Sequence, residues 1–489
     1  MRILHVGFGY RPWIVNGLVI YSETVMEGQV AQGHDVGYFF PARQLPLLRR
    51  TILHAWRRRG VRMFELVNSS LVVGRHRGTP DPERDLHHAP SEAAFERVLD
   101  RFGPEVIHIH DLGGLPSSIL DAAAQRGVPT VMTIHDYQPL CPTVKLYDAH
   151  GRICLRSDPG AMCTVCCADA PTDNGEELAR TLALARRRIR STVPGLDALL
   201  RRPQTERLGV AGIRLMERAA GTRQAGAPAP HASSAAYQRR RDVNVERLNR
   251  LDALIASSRR SAEIYEELGV AGPPVRFIPI TPPHIARLHP KRRLNPADPL
   301  RFVALNACSS IQKGAHLIVQ ALAHLTQRGL DGRYRLSVHG AVADEIQDAL
   351  YAHPSVDVEG DYQAHDLDEL LESGDVGLLP SVWEEVYGFA GLEFLAKGIP
   401  VIGNAIGAIP DYVLPGQTGW LNRSCSAQEL ADLMARAIAD PNEVGRLSET
   451  AIARRDDLIH PLPIGLAELA TVYDELVSRT RHTTADALG

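Results

Sequence analysis

The chain has 489 residues, of which 44% are hydrophobic and 23% charged, with a formal net charge of −3 and a pI near 6.7. A single hydrophobic core stops growing near ~250–300 residues, so this length predicts two domains, and the composition is that of a soluble globular protein and not a fibrous or disordered one. A charge so close to neutral argues against a protein that neutralises nucleic-acid phosphates over a wide surface, and favours a small ligand.

The N-terminal stretch MRILHVGFGY has a short apolar run and reads as a buried first strand, lacking the apolar core of about seven to fifteen residues that a signal peptide needs. No window approaches about eighteen uninterrupted apolar residues, so no membrane-spanning helix is expected. The expected location is cytoplasmic, with peripheral membrane contact left open. Apolar runs ILHVGFG, DVGYFF, VIHIHD, TVMTIHD and ALIASS alternate with segments of helical period. That alternation predicts a parallel sheet with helices on both faces. Between the first strand and the first helix stands Gly17, which by itself reads as a plain helix-entry glycine.

From Leu45 to about Pro90 the pattern changes, and TILHAWRRRGVRMFEL reads as a basic helix followed by a polar loop. His108 and His110 alternate on VIHIHD and so share one strand face. Such a pair suggests a metal, but core or acceptor-side histidines fit better. His135 ends TVMTIHD. An insertion at about 141–250 follows within the first domain, opening with Cys141, Cys154, Cys163 and Cys166, with Cys167 adjacent. The C-x-x-C element suits a structural zinc site; the alternatives are packed free thiols, or a disulfide, which a reducing cytoplasm disfavours. Arg-rich helical sequence comes next, interrupted by GTRQAGAPAPHASS, a composition that predicts flexibility.

The Pro- and charge-rich stretch 279–298 predicts a linker between a first domain at 1–278 and a second at 299–460. Strand-like runs resume as RFVALNA, YRLSVHG, VDVEG, DVGLLPS and IPVIGN. Lysine occurs only at Lys145, Lys291, Lys313 and Lys397. Of these, Lys313 precedes Gly314 at the head of an amphipathic helix, where it could reach a phosphate. Gly340, Gly360 and the turn Gly407-Ala408-Ile409-Pro410-Asp411 fall at strand ends. In PSVWEEVYGFAGLEFLAKGIPVIGN, Gly388 opens a helix whose exposed N–H groups and dipole form a seat for an anion without a metal. A last helix over 461–482 is expected to pack back on the first domain, with 483–489 as a tail.

Glu385 and Glu393, set between Pro380-Ser381 and Gly398-Ile399-Pro400-Val401, resemble the signature of the family-four retaining glycosyltransferases, and the resemblance extends over nearly the whole chain apart from the insertion. It implies the GT-B fold: α/β, two Rossmann-like domains with parallel sheets facing an interdomain cleft. It further implies that Glu393 holds the ribose of a nucleoside diphosphate sugar, that Glu385 meets the donor sugar, and that Gly388, Phe389 and Ala390 offer backbone N–H groups. Lys313 and Gly407 line the phosphates, while His135 and Gly17 serve the sugar and the distal phosphate from the first domain. Some relatives sharing HDY-x-x-x-CP carry similar cysteines. Three departures stand out: Cys308 occupies the place of a phosphate-binding Arg, Asn16-Gly17 keeps one of two glycines, and Asp411 replaces a Glu.

The implied reaction is transfer with retention to a small-molecule, lipid-linked or glycan acceptor. The leaving phosphate takes the acceptor's proton, and no catalytic cofactor is involved. An Asp-x-Asp pair is absent from the donor segment, which agrees with metal independence. The competing readings are a same-fold epimerase or phosphorylase, or a donor-binding partner protein without catalysis, suggested by Cys308.

Overall fold

The computed structural model describes residues 1–45, 50–69, 76–171, 181 and 232–488, and the side chains of these up to 482. The chain divides into two compact units: Met1–Ile255 with Tyr265–Arg276 and Ala470–Gly489, and Ala256–Ile264 with Phe277–Leu469.

The first unit is built on an eight-stranded sheet. Its strands are β1 (Arg2–Val6), β2 (Asp35–Pro41), β3 (Ile52–Arg58), β4 (Val61–Val67), β5 (Val106–Ile109), β6 (Thr130–Thr133), β7 (Ala253–Ala256) and β8 (Val275–Phe277), in the order β3-β4-β2-β1-β5-β6-β7-β8. β5, β6 and β7 are buried at every position, as strands covered on both faces must be, which is why they read as unbroken apolar runs. Strand order reverses between β1 and β5, and their parallel register sets His5 beside His108.

TILHAWRRRGVRMFEL is not a basic helix: it is the antiparallel hairpin β3–β4. Arg59 and Gly60 both take positive φ, 46° and 84°, so they form a two-residue turn whose twist suits a hairpin. Met63, Phe64, Leu66 and Val67 are buried, while β3 is a half-exposed edge strand, so its arginines lie on an open face and not on a helix. The charge run hid the strand period.

Of the insertion, Cys141–Pro171, Thr181 and residues from 232 on are described; most of GTRQAGAPAPHASS lies outside the described residues. The helix Ser234–Leu248 carries a buried face of Arg240, Arg241, Asn244 and Arg247, where an apolar stripe would be usual. Arg247 donates to Asp121 at 2.8 Å, to the Leu86 carbonyl at 3.0 Å and to Ser117 Oγ at 2.7 Å. Arg240 donates to Asp85 at 2.7 Å and to the Gln138 carbonyl at 2.9 Å. Guanidinium groups forked between carboxylates and carbonyls let a basic helix be buried.

The second unit has six strands: β9 (Leu300–Leu305), β10 (Tyr334–His339), β11 (Val356–Gly360), β12 (Val376–Leu379), β13 (Val401–Asn404) and β14 (Gly419–Asn422), in the order β11-β10-β9-β12-β13-β14. Every pairing is parallel. Its core joins Phe302, Leu336, Val338 and Leu378 to Leu317, Ile318, Leu322 and Leu325 of the helix Ala315–Gln327 and to Leu430, Met434 and Ile438 of the helix Ala427–Ala439. The order reverses between β9 and β12, which places a crevice beyond their carboxyl ends.

The stretch 279–298, expected as a linker, is packed into the second unit. Lys291 is 3% exposed, donates to the Gly374 carbonyl at 3.0 Å and pairs with Asp375 at 3.9 Å. Lys397 is buried as well, against Asp368 and Glu372 at 3.0 and 3.2 Å. The final helix, Leu462–Leu488, passes from one unit to the other at Leu469/Ala470, and its backbone stays helical where a tail from 483 was expected. No helix among the described residues is long and apolar enough to cross a membrane.

Substituting Arg247→Leu removes one donor each from Asp121, which keeps Arg250 at 2.7 Å, from Ser117 Oγ and from the Leu86 carbonyl, and should cost ~1–3 kcal/mol. Urea unfolding followed by circular dichroism measures it; wild-type stability would show that the buried guanidinium is not a structural cross-link.

Candidate functional site

At the carboxyl end of β12 the chain leaves the sheet at Pro380 and runs to Gly388, where the helix Phe389–Lys397 begins. Gly388 has φ +80° and caps that helix with no side chain over its first N–H groups. Asn404, at the end of β13, donates to the carbonyls of Pro380 and Ser381 at 3.0 and 2.9 Å, and is held by Asn422 at 2.8 Å. Neighbouring strand ends therefore fix the loop that bears the glutamates.

Two close backbone approaches shape this loop. A Cβ on Gly314 would stand 1.9 Å from the Pro380 carbonyl oxygen, and one on Gly407 would stand 2.3 and 2.4 Å from the carbonyl oxygen and nitrogen of Glu385. Only glycine permits either contact. The first brings Lys313 against Glu385: its ammonium bonds Glu385 Oε1, which also accepts from Ser381 Oγ at 2.8 Å, and it stands 5.6 Å from the Trp383 ring centre. The Glu385 side chain is 5% exposed and that of Lys313 31%, so the pair meets at the edge of the solvent. Glu384 lies beside it, accepting from Gly407 N at 2.9 Å and from Arg260 at 3.2 Å.

Glu393, buried on the helix, accepts from or pairs with His284 Nε2 at 2.7 Å. Asn306, just past β9, is a non-glycine residue at φ +54° and donates to Tyr362 OH at 2.7 Å. Such a conformation persists only where the surroundings impose it, and it stands at the same end of the sheet. Cys308 is fully buried and burial pushes its thiol up to about 12, so it brings no charge to this site. Lys313, Gly314, Glu385, Gly388 and Gly407 are thus brought together. Ser381 of the motif joins them from four residues away, while Arg260, His284 and Asn404 do so without any signal in the sequence pattern, because each acts through a contact far from it in the chain.

In the first unit, Gly17 is the first residue of the helix Gly17–Ala31, whose cap is Asn16 Oδ1 accepting from Val19 N at 2.9 Å. His135 lies two residues beyond β6 and packs edge-on to Tyr21, with ring centres 5.2 Å apart. Beneath it lies a set of imidazoles that sequence spacing half revealed. His5, His108 and His110 are buried, and their ligand-type nitrogens lie within 4.8 Å of one another, the one such set of three among the described residues. Those nitrogens are turned on hydrogen-bond partners instead of a common point. His5 Nδ1 meets His110 Nε2 at 2.8 Å, His5 Nε2 meets Gln29 Oε1 at 2.7 Å, and His110 Nδ1 meets His135 Nε2 at 3.2 Å. His108 Nδ1 meets Tyr473 OH at 2.5 Å and its Nε2 meets Thr133 Oγ1 at 2.7 Å.

Cys141, Cys154, Cys163 and Cys166 gather in one region, where Cys141 bears electrostatically on the other three, and among the described residues no three of their sulfurs lie within 4.8 Å of one another. All are free thiols. Cys141 Sγ pairs with Thr143 Oγ1 at 3.2 Å, Cys166 Sγ accepts from Ala149 N at 3.3 Å, and Cys163 packs with Cys167 and Tyr237. Burial raises the thiols of Cys154, Cys163 and Cys166.

Two α/β units built on mainly parallel sheets agree with the GT-B class. A profile of the glycosyl transferases group 1 matches residues 291–454, and one of glycosyltransferase family 4 matches residues 15–200. The chain belongs to the family-four, group 1 glycosyltransferases of the GT-B fold. A D-inositol 3-phosphate glycosyltransferase of Pseudarthrobacter chlorophenolicus is 30% identical over 227 residues, covering 42% of this chain and 51% of that one. The chain spans about half or less of the length of the curated relatives it matches. Sucrose-phosphate synthase of Thermosynechococcus elongatus has a similar fold, with a TM-score of 0.59 at 16% identity over 98% of this chain and 99% of that one. Anabaena HepE, solved with UDP-glucose, gives a TM-score of 0.53 at 14% identity over 99% and 100%.

Burial holds His5 near 4 and keeps His108 and His110 well below the ordinary 6.5, so all three are neutral in the folded protein. Below pH 6.5 the unfolded chain takes up protons that the folded one does not. Stability should therefore fall from pH 6.5 toward 4, by up to ~1.4 kcal/mol per pH unit for each ring. Urea unfolding at pH 7, 6 and 5 tests this, and a flat profile would contradict neutral burial.

Proposed function

We propose that the protein transfers a sugar, with retention of anomeric configuration, from a nucleoside diphosphate sugar to a small-molecule, lipid-linked or glycan acceptor, without a metal. One observation carries this reading: Lys313 and Glu385 are joined at the switch point of the second sheet, beside the open helix terminus at Gly388. The solved HepE complex with UDP-glucose supports a nucleotide sugar as the donor.

Glu393, oriented by His284, binds the ribose diol, and Glu385 binds hydroxyls of the donor sugar. Lys313 and the N–H groups at Phe389 and Ala390 take the pyrophosphate. The donor then exchanges the Lys313–Glu385 pair for two separate contacts, ammonium to phosphate and carboxylate to sugar. As the glycosidic bond to phosphate breaks, charge grows on the leaving oxygen, where a cation and oriented N–H groups are already placed. That oxygen accepts the acceptor's proton, and the new bond forms on the face the phosphate leaves, which preserves configuration. Gly407 keeps the Glu385 backbone in place. For the first unit, we propose that His135 and Gly17 serve the sugar and the distal phosphate. With Cys308 neutral, Lys313 carries more of the phosphate charge than in relatives with an Arg at that place.

Glu385→Ala should lower transfer by at least about 100-fold while leaving the fold intact, and Lys313→Ala should weaken nucleoside diphosphate binding by about tenfold or more. Released nucleoside diphosphate, followed with and without acceptor and in excess chelator, measures both. Wild-type turnover in either variant would refute the assignment, as would strict dependence on Mg²⁺ or Mn²⁺; release without an acceptor would point to the epimerase or phosphorylase reading.

A further inference from the structure

The buried imidazoles of the first unit make a directional chain. Gln29 Oε1 can only accept, so His5 carries its proton on Nε2 and offers Nδ1 as an acceptor. Because His5 is neutral, the 2.8 Å contact is made by the Nε2 proton of His110, whose Nδ1 then accepts from His135 Nε2 at 3.2 Å. The other end of the amide is pinned too. Gln29 Nε2 donates to Tyr473 OH at 3.3 Å, and that hydroxyl gives its single proton to His108 Nδ1 at 2.5 Å. His108 in turn donates from Nε2 to Thr133 Oγ1. Turning the amide over reverses every donor and acceptor along the chain, so one side chain governs all four rings.

We infer that Gln29 is a positioning residue for the reaction: through His5 and His110 it fixes His135 as the Nε2–H tautomer, making Nδ1 the ring's acceptor nitrogen. This rests on the proposed role of His135. The protein contributes a dry, polar row reaching from the middle of the sheet to a strand-end loop. Gln29, His5, His108 and His110 are each 2% exposed or less, so water does not compete for their protons. Tyr21, from the same helix as Gln29, packs against His110 and His135 and holds both ring planes. Tyr473 adds the grip of the C-terminal helix on the amide.

The test reads the tautomer directly. In the full-length protein labelled with ¹⁵N-histidine, long-range ¹H–¹⁵N correlation at pH 7.5, with signals assigned from His135→Asn, should show His135 protonated at Nε2 alone. Gln29→Met keeps the bulk and loses the amide, and His135 should become a tautomer mixture, with kcat lowered about 10- to 100-fold and donor KM little changed. Gln29→Glu still accepts from His5 Nε2 and should restore both the single tautomer and most of kcat, which a purely structural role would not produce. A wild-type His135 protonated at Nδ1 or on both nitrogens would overturn the inference, as would an unchanged tautomer in Gln29→Met. His135→Ala with wild-type turnover would instead remove His135 from the reaction, leaving the tautomer spectra to decide the chain.

Discussion

The loop from Pro380 to Gly388 lies so close to two other backbones that no side chain fits between them, and the candidate donor site follows from that constraint. Gly314 rests on the Pro380 carbonyl and Gly407 on the Glu385 peptide, so close backbone contact sets the spacing of the three loops at the end of the second sheet. Side chains are then free for chemistry. Lys313 is delivered to Glu385 because its neighbour is a glycine, and Glu384 is left to tie Gly407 N and Arg260 together. Asn404 and Asn422 complete the frame by satisfying the carbonyls that a strand end leaves unpaired.

The first unit handles polarity differently. It buries histidines and arginines in places where an α/β domain would usually bury aliphatic residues. His5, His108 and His110 are tolerated because every nitrogen has a partner, and burial keeps each ring neutral. The arginines of the helix Ser234–Leu248 stay charged but are matched by Asp85, Asp121 and carbonyl oxygens. Both arrangements are costly to break and so define one packing, in a unit whose strands alone are generic.

The strands of both sheets that are buried on both faces were legible in the sequence, since a short apolar run closed by Gly, His or Pro is the pattern that a strand covered on both faces requires. The helix Phe389–Lys397 was legible too, because Gly388 and Gly398 mark its two ends within a short stretch of chain. β3 and β4 were not: three consecutive arginines before Gly60 masked the period of two, and their turn uses Arg-Gly where Asn-Gly or Asp-Gly would have signalled a hairpin. Spacing alone cannot show whether sulfurs converge, and the contacts of the cysteine group with Thr143, Ala149 and Tyr237 arise only in the fold. His284, Arg260 and Gln29 are each more than 20 residues from the groups they orient, a separation no local pattern reveals.

The central claim is that the second unit binds a nucleoside diphosphate sugar through protein groups alone. Thermal unfolding of the full chain in excess chelator, against a panel of UDP-, GDP- and dTDP-sugars, tests it most directly. One nucleotide class should stabilise the protein, by ~2.7 kcal/mol at a hundredfold excess over Kd, with the chelator present throughout. No stabilisation by any member of the panel, or stabilisation only after Mg²⁺ or Mn²⁺ is restored, would contradict it.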